Sequence, residues 1–388
     1  MKNYSVIDGD SHVFEPQAIW DQYLEPEYRL PARSAFSYHH DGEGHFAVIL
    51  NGKPAPWLNS SALNRHALWR PGLTAEAIGA MDPGKPVEIN PGAQDPAQRL
   101  RDMDAMGIGR AVVFPTLFAE YFPLTENPDV ACALARAYNN WILDCCRGFS
   151  GRLIPVAVLP MQDPIFAKLE LRRVAGAGFK ACFIRPSFFQ GRFLNHPSYD
   201  PVWEEIEKLG LTACIHPSAG ITNPQWTSEG SFIEGVARNL RIGHPIAESV
   251  SYFMDNAAAL TTFAFCGHLE KYPKLKIAFM HGGISWLLLA LEKAETYLTF
   301  FMVDDVSLEP EKIFFTRPYL VGFNPWERSV EKLYDVVENV ACWGSHYPAH
   351  DTVQPEQTLN NLLGSRVPEN VIAKIMGENA GRIFGIEN

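Results

Sequence analysis

The chain has 388 residues, 47% hydrophobic and 20% charged, a balance that excludes a disordered protein and allows a large buried core. A formal net charge of −11, from 33 basic and 44 acidic residues, argues against a nucleic-acid backbone or an anionic membrane surface as partner and leaves a small molecule as the expected one. The seven cysteines (Cys132, Cys145, Cys146, Cys182, Cys214, Cys266, Cys342) are odd in number and form no CxxC pair, so they read as reduced core residues of a cytoplasmic protein. "MKNYSVIDGDSH" enters a strand-like run without the apolar core of a signal peptide, and stretches such as "ISWLLLALEKA" are too short and too soon charged to span a bilayer.

Taken in chain order, short β-branched or apolar runs alternate with helical patterns, the signature of parallel βαβ units. The runs are "YSVIDGD", "GRAVVFPT" (109–116), "RLIPVAVLP" (152–160), "FKACFIRP" (179–186), "LTACIHPS" (211–218), "LKIAFMHGG" (275–283), "PYLVGF" (318–323) and "NVACWGSHYP" (339–348). Helices are expected between them at "AQRLRDMDAMG", "PDVACALARAYNNWILDCCR", "DPVWEEIEKLG" and "AALTTFAFCGHLEKYP", several punctuated by Gly or Pro. The pattern predicts an α/β fold, a (β/α)8 TIM barrel in which residues 1–388 form a single domain. Residues 15–95 break the rhythm with many Pro and Gly and a hairpin signal at Asn51–Gly52, and read as an inserted cap region between strands one and two. Residues 217–248 read as a second polar excursion, after the fifth strand.

Four strand ends carry residues able to bind a metal. Asp10 and His12 lie two apart, so both point to the same side of the first strand, while His216, His281 and His346 follow the fifth, sixth and eighth strands. A lone histidine after an apolar run is more often packed and hydrogen-bonded than ligating. Several at the same end of separate strands have no such reason to share a register, which points to a metal centre. Imidazole nitrogen with carboxylate oxygen suits Zn, Mn, Fe or Co better than Mg or Ca.

Arg185 ends the fourth strand, where its fork could meet a substrate carboxylate or a loop acid. Trp286 and Trp343 flank the histidine motifs as packing residues, and Gly282–Gly283 let the chain turn closely past the site. His244 and His268 are given structural roles in a loop and a helix end; His39, His40, His45 and His66 belong to the inserted region, as caps of the site or in solvent. Lys180 stands at the wrong end of its strand to bridge two metals.

"VIDGDSHVFEP", "RLRDMDAMGIGRAVVFPT", "RLIPVAVLPMQDP", "GFKACFIRPS", "IHPS", "AFMHGGISW" and "GSHYPAHD", in this order, resemble the amidohydrolase-related (amidohydrolase 2) family, weakest over residues 30–90. The resemblance implies a barrel holding one or two divalent ions, commonly Zn or Mn, that hydrolyses or nonoxidatively decarboxylates small, often aromatic or carboxylated, substrates. It carries metal ligation onto Asp10, His12, His216 and His281. At the eighth strand the family reads Gly-Ser-Asp-Tyr-Pro-His, with an Asp that touches the metal and orients or deprotonates water, whereas this chain has His346. A neutral imidazole on a metal has no lone pair left for a proton, so the usual base is missing or moved, and His346, His350 and Asp351 are the catalytic candidates.

If His346 also binds, the site is histidine-rich. That opens a second reading, a dinuclear Fe or Mn/Fe oxygenase of the same fold acting on a small amine or amino acid, with Glu15, His350 and Asp351 as spare ligands. A third reading, prompted by the lost Asp, is a metal-bearing partner subunit of an active paralogue. Such barrels usually pair, so a homo-oligomer or a hetero-oligomer with a paralogous barrel is expected.

Overall fold

The structure, a computed structural model, describes residues 4–40, 46–54, 65–82, 88–149, 151–218, 244–301, 303 and 306–386. The barrel strands are β1 (Ile7–His12), β5 (Arg110–Phe114), β6 (Leu153–Val158), β7 (Ala181–Ile184), β8 (Thr212–Ile215), β9 (Lys276–Phe279), β10 (Tyr319–Phe323) and β11 (Ala341–Trp343). They form one eight-stranded sheet in the order β1-β5-β6-β7-β8-β9-β10-β11, with parallel pairing throughout. Each of the eight runs predicted from the sequence is one of these strands. Helices cover the outer face and side chains fill the interior, so almost every strand residue is buried and the strands read as continuous apolar runs.

The helices between strands begin and end on local signals. Asp95, Asn127 and Asp163 each accept from a backbone N–H of the first turn, and each is followed by Pro at the first helical position. Gly107 and Gly210 end helices Pro96–Met106 and Asp200–Leu209 at φ 75° and 68°, where only glycine is unstrained. No helix among the described residues is long and apolar enough to cross a membrane.

Between β1 and β5 lies a three-stranded antiparallel sheet of β2 (Phe36–His40), β3 (Phe46–Leu50) and β4 (Lys53–Pro54). Asn51 (φ 48°) and Gly52 (φ 76°) make the turn between β3 and β4 expected from their sequence. Asn51 Nδ2 also donates to the Leu124 carbonyl at 2.9 Å, which ties the hairpin to the barrel.

The excursion expected over 217–248 needs correction at its end. Helix His244–Phe265 starts well before the predicted "AALTTF" stretch, so His244 opens a helix rather than sitting in a loop. Its first half looks loop-like in sequence because it lines a cavity, with Ser249, Tyr252 and Phe253 on the wall, while Ala259, Leu260 and Phe263 bury its second half. Residues 219–243 of that excursion, and His45 of the inserted region, lie outside the described residues.

Two glycines let the first and last strands approach. A Cβ on Gly9 would lie 2.2 Å from Cys342 Sγ, and one on Gly344 would lie 2.5 Å from Asp10 Cβ. Gly344→Ala is therefore expected to lower thermal stability by about 1–3 kcal/mol. Gly364→Ala, where the new methyl meets nothing within 4 Å, leaves the melting temperature unchanged or slightly higher in the same calorimetric scan.

Candidate metal centre and its cavity

The functional side chains leave the barrel just past the C-terminal ends of its strands. Asp10 and His12 are on β1, His216 follows β8 by one residue, and His281 and His346 lie two and three residues beyond β9 and β11. His281 and His346 both adopt the left-handed region, at φ 59° and 60°. For a non-glycine residue that conformation costs on the order of 1 kcal/mol and persists only where the surroundings impose it. Here the turn aims each ring back over the barrel mouth.

The site is centred on the Asp10 carboxylate, only 1% exposed. His12 Nε2 and His216 Nε2 lie 3.1 and 3.4 Å from Asp10 Oδ1, and His281 Nδ1 lies 3.2 Å from Asp10 Oδ2. Ligand atoms of Asp10, His12, His216 and His281 all fall within 4.8 Å of one another. Asp10 Oδ1, His12 Nε2 and His216 Nε2 are buried without a hydrogen-bond partner. Converging, unpaired buried acceptors are costly unless something answers them. Atoms bound about 2.1 Å from one ion stand about 3.0–3.4 Å apart. These residues therefore fit a divalent transition metal.

The charges agree with that fit. Burial works to raise the Asp10 carboxyl, but the imidazoles of His281, His216 and His12 that surround it overcome this and hold it well below the usual carboxylate range. Burial lowers His216, and burial with the adjacent His346 charge lowers His281 to about 3, so both rings are neutral and able to bind a metal. His346 goes the other way: burial opposes it, yet the Asp351 carboxylate 2.8 Å from Nδ1, with Asp10 and Asp8 behind, raises it to about 9. Asp351 is correspondingly lowered against its burial, chiefly by His346.

The centre forms the floor of a cavity of about 900 Å³ lined by His12, His216, His281, His346, His350 and Asp351 and by the aromatics Phe183, Tyr252, Phe253, Trp286 and Trp326. That volume suits a small organic ligand, for which about 300–1,000 Å³ is typical. A second cavity of about 690 Å³ lies at the opposite end of the barrel, among Arg110, Arg147 and Lys180. Lys180 is thus remote from the centre, as its strand position predicts.

Most of the predicted residues meet here. His346 Nε2 stands 3.6 Å from Asp10 Oδ2 and its ring stacks on His281 at 4.3 Å, beside the tighter four-residue group. Arg185 does not line the cavity. It is 1% exposed, donates through Nη1 to the Glu120 carbonyl, and has the charges of Asp255 and Glu120 close by. Glu15 is turned away as well: its carboxylate accepts from Thr116 N at 2.7 Å and Phe118 N at 3.3 Å. Of the inserted-region histidines, His66 lines the cavity. Trp343 is packed, donating to Thr358 Oγ1, whereas Trp286 donates to the Gly283 carbonyl and also reaches the cavity wall.

Sequence reasoning missed three contributors. Tyr252 packs edge-on to His281 at 4.9 Å, and Trp326 packs edge-on to His346 at 5.6 Å. The Glu327 carboxylate accepts from Ile284 N, Ser285 N and Asn324 N, which fastens the loop after His281 to the loop after β10. A Cβ on Gly283 would lie 2.8 Å from Glu327 Oε2, so the glycine is what admits the carboxylate. "NPWERS" offers no spacing signal for this, since its partners are far along the chain.

Fold and site together define a (β/α)8 barrel with a candidate metal centre at the C-terminal ends of its strands. The sequence model described as Amidohydrolase (Amidohydro_2) matches residues 41–386, and the chain belongs to that family. Asp10 and His12 precede the matched range. Among curated proteins, a 2-amino-3-carboxymuconate-6-semialdehyde decarboxylase from Dictyostelium discoideum is 28% identical over 202 residues, 51% of each chain. A gamma-resorcylate decarboxylase from Rhizobium radiobacter is 27% identical over 195 residues, 48% of this chain and 54% of that one. The alignment thus spans about half the length of these curated relatives. An amidohydrolase structure from Mycobacterium avium subsp. paratuberculosis K-10 superposes with a TM-score of 0.78 at 22% identity, covering 99% of this chain and 100% of that one. A manganese-bound dihydroxybenzoic acid decarboxylase from Polaromonas sp. JS666 superposes at 0.66 with 16% identity, covering 99% and 98%.

His12→Ala and His216→Ala are each expected to reduce the metal retained after desalting at micromolar metal by at least roughly tenfold. Elemental analysis by inductively coupled plasma mass spectrometry checks this, and wild-type metal content in His216→Ala would refute the ligand assignment.

Proposed function

We propose that the protein is a metal-dependent decarboxylase that removes carbon dioxide, without oxidation, from a small carboxylated aromatic compound. The observation that carries this reading is the group Asp10, His12, His216 and His281 on the floor of a cavity with aromatic walls. The decarboxylases among its relatives support it, and the manganese in one structural neighbour, with the mixed nitrogen and oxygen donors here, favours Mn, Zn or Fe as the ion. When bound, the ion supplies fixed positive charge for the anionic oxygens of the substrate.

The remaining work falls to side chains. Loss of carbon dioxide breaks a carbon–carbon bond, leaves the electron pair on the ring carbon, and requires one proton at that carbon. We assign its delivery to His350, which lines the cavity and whose buried Nδ1 has no hydrogen-bond partner. Phe183, Trp286 and Trp326 would hold a planar ring and exclude water.

Hydrolysis fits less well. It needs a base beside the attacking water, and the strand-eight residue that resembles the family's base is His346, whose Nδ1 is committed to Asp351. Neither the dinuclear oxygenase nor the partner subunit draws support from the relatives above.

Manganese- or zinc-loaded protein given carboxyl-13C gamma-resorcylate is expected to release 13CO2 and, in D2O, to place deuterium at the vacated carbon. Chelation should abolish the reaction, and His350→Gln should lower kcat by about 10²–10⁴-fold with metal content unchanged. Oxygen uptake with a hydroxylated product, or amide cleavage without carbon dioxide, would overturn the reading.

A further inference from the structure

His12 and His216 are wired alike. Each has Nδ1 against a backbone carbonyl outside the centre, Pro115 O at 3.0 Å and Pro217 O at 2.8 Å, and each has Nε2 facing Asp10 Oδ1. A carbonyl only accepts, so Nδ1 carries the proton and the Nε2 lone pair is aimed inward. His281 departs from this pattern, since its Nδ1 is the atom that faces Asp10. His346 places its atoms in the same way as His12 and His216, Nδ1 2.8 Å from Asp351 Oδ2 and Nε2 3.6 Å from Asp10 Oδ2, and a metal would displace the proton that its raised pKa keeps on Nε2. The outer acceptor has become a carboxylate on the same loop.

His346 Nε2 stands 3.6 Å from Asp10 Oδ2, slightly beyond the spacing of the other donors, and outside the four-residue group, so ligation requires a small inward movement of the ring. The turn is held by two backbone hydrogen bonds, His346 N donating to Asp10 O at 2.9 Å and Ala349 N donating to His346 O at 2.8 Å. Those two bonds fix a side chain that is 3% exposed in the left-handed backbone region.

We propose that Asp351 is a positioning residue that fixes the tautomer and orientation of His346 and so makes His346 a further ligand of the metal. The strand-eight carboxylate that this chain lacks then acts from behind an imidazole instead of on the ion. Hydrogen-bonded outer carboxylates of this kind raise the basicity of a ligating histidine and contribute strongly to metal affinity. The inference rests on the metal centre of the functional reading and not on decarboxylation.

The test is a double-mutant cycle on the full-length protein, read as Zn2+ and Mn2+ affinity by competition with a chromophoric chelator. Asp351→Asn is expected to weaken binding roughly 10–100-fold, and Asp351→Glu to recover most of the loss. In the His346→Asp background, which places a carboxylate on the ion directly, Asp351→Asn should change affinity by less than about twofold. A merely structural Asp351 would lower melting temperature in both backgrounds and leave metal affinity unmoved; that result overturns the proposal. Should Asp351→Asn fail to fold, X-ray absorption of the zinc-loaded wild type and His346→Ala decides: one imidazole fewer in His346→Ala supports the proposal, and an unchanged number refutes it. No substrate is needed, so inactivity of the wild type toward gamma-resorcylate would sink the decarboxylase reading alone.

Discussion

The first and last barrel strands are joined past the end of β11 by two backbone hydrogen bonds, His346 N to Asp10 O at 2.9 Å and His12 N to Tyr347 O at 2.7 Å, and the candidate metal centre depends on that seam. The residues that close the barrel are the ones whose side chains build the site. Closure and site geometry are therefore one constraint: a shift of register along the seam would move Asp10, His12 and His346 together. The seam is reinforced on both sides. Asp8, buried beneath it, accepts from Ser345 N at 2.8 Å and from Ser345 Oγ, and burial raises its carboxyl above the usual value. Arg99, also buried, donates to Ser11 Oγ at 2.8 Å and to the His12 carbonyl, while Tyr347 Oη donates to Asp102. A buried guanidinium is expensive unless its donors are answered, and these are answered by the strand that carries the ligands.

The rest of the mouth is held by the same device, polar side chains that grip backbone near a histidine. Asn256 Nδ2 donates to the Met280 carbonyl at 2.9 Å, next to His281, and a Cβ on Gly282 would lie 2.5 Å from that nitrogen. Glu327 fastens the following residues Ile284 and Ser285 at the start of helix Trp286–Phe301. A carboxylate at a helix N-terminus is favourable in itself. Its further effect here is to bring the loop that carries Trp326 over His346. Two left-handed histidines are thus held by networks anchored in helices and loops rather than by the strands alone.

This division explains what the sequence could show. Strands buried on both faces leave unbroken apolar runs, and caps and terminal glycines leave punctuation, so all eight barrel strands and the helices Pro96–Met106, Pro128–Cys146 and Asp200–Leu209 were legible. Asp10, His12, His216 and His281 were legible because a ligand at a strand end sits in a fixed register with the run before it. Arg185 occupies the same kind of position, yet its Nη1 donates to the Glu120 carbonyl outside the cavity, because rotamer and neighbours rather than register decide where a long side chain points. Helix His244–Phe265 extends beyond its apolar stretch because the residues of its first half that line the cavity, Ser249 among them, imitate a loop in composition. The partnership of Glu327 with residues 284 and 285 crosses two strand ends and leaves no local trace.

His346 is where sequence and structure inform each other most. Read alone, histidine in place of a carboxylate looks like a lost function. In space the carboxylate is present but displaced, as Asp351, one imidazole further from the centre. The displacement changes the electrostatics of the cavity floor. Were a divalent ion held there, Asp10 would be the one carboxylate among the grouped ligands and would neutralise only half of its charge, the histidines being neutral. The Asp351 charge acts through a greater distance and so offsets less of the remainder. A floor left net positive, below aromatic walls, is complementary to a planar anion. That net charge follows from the chain's own departure from its family's pattern, an imidazole standing where a carboxylate would have neutralised more of the ion's charge, and the proposed decarboxylation rests on it.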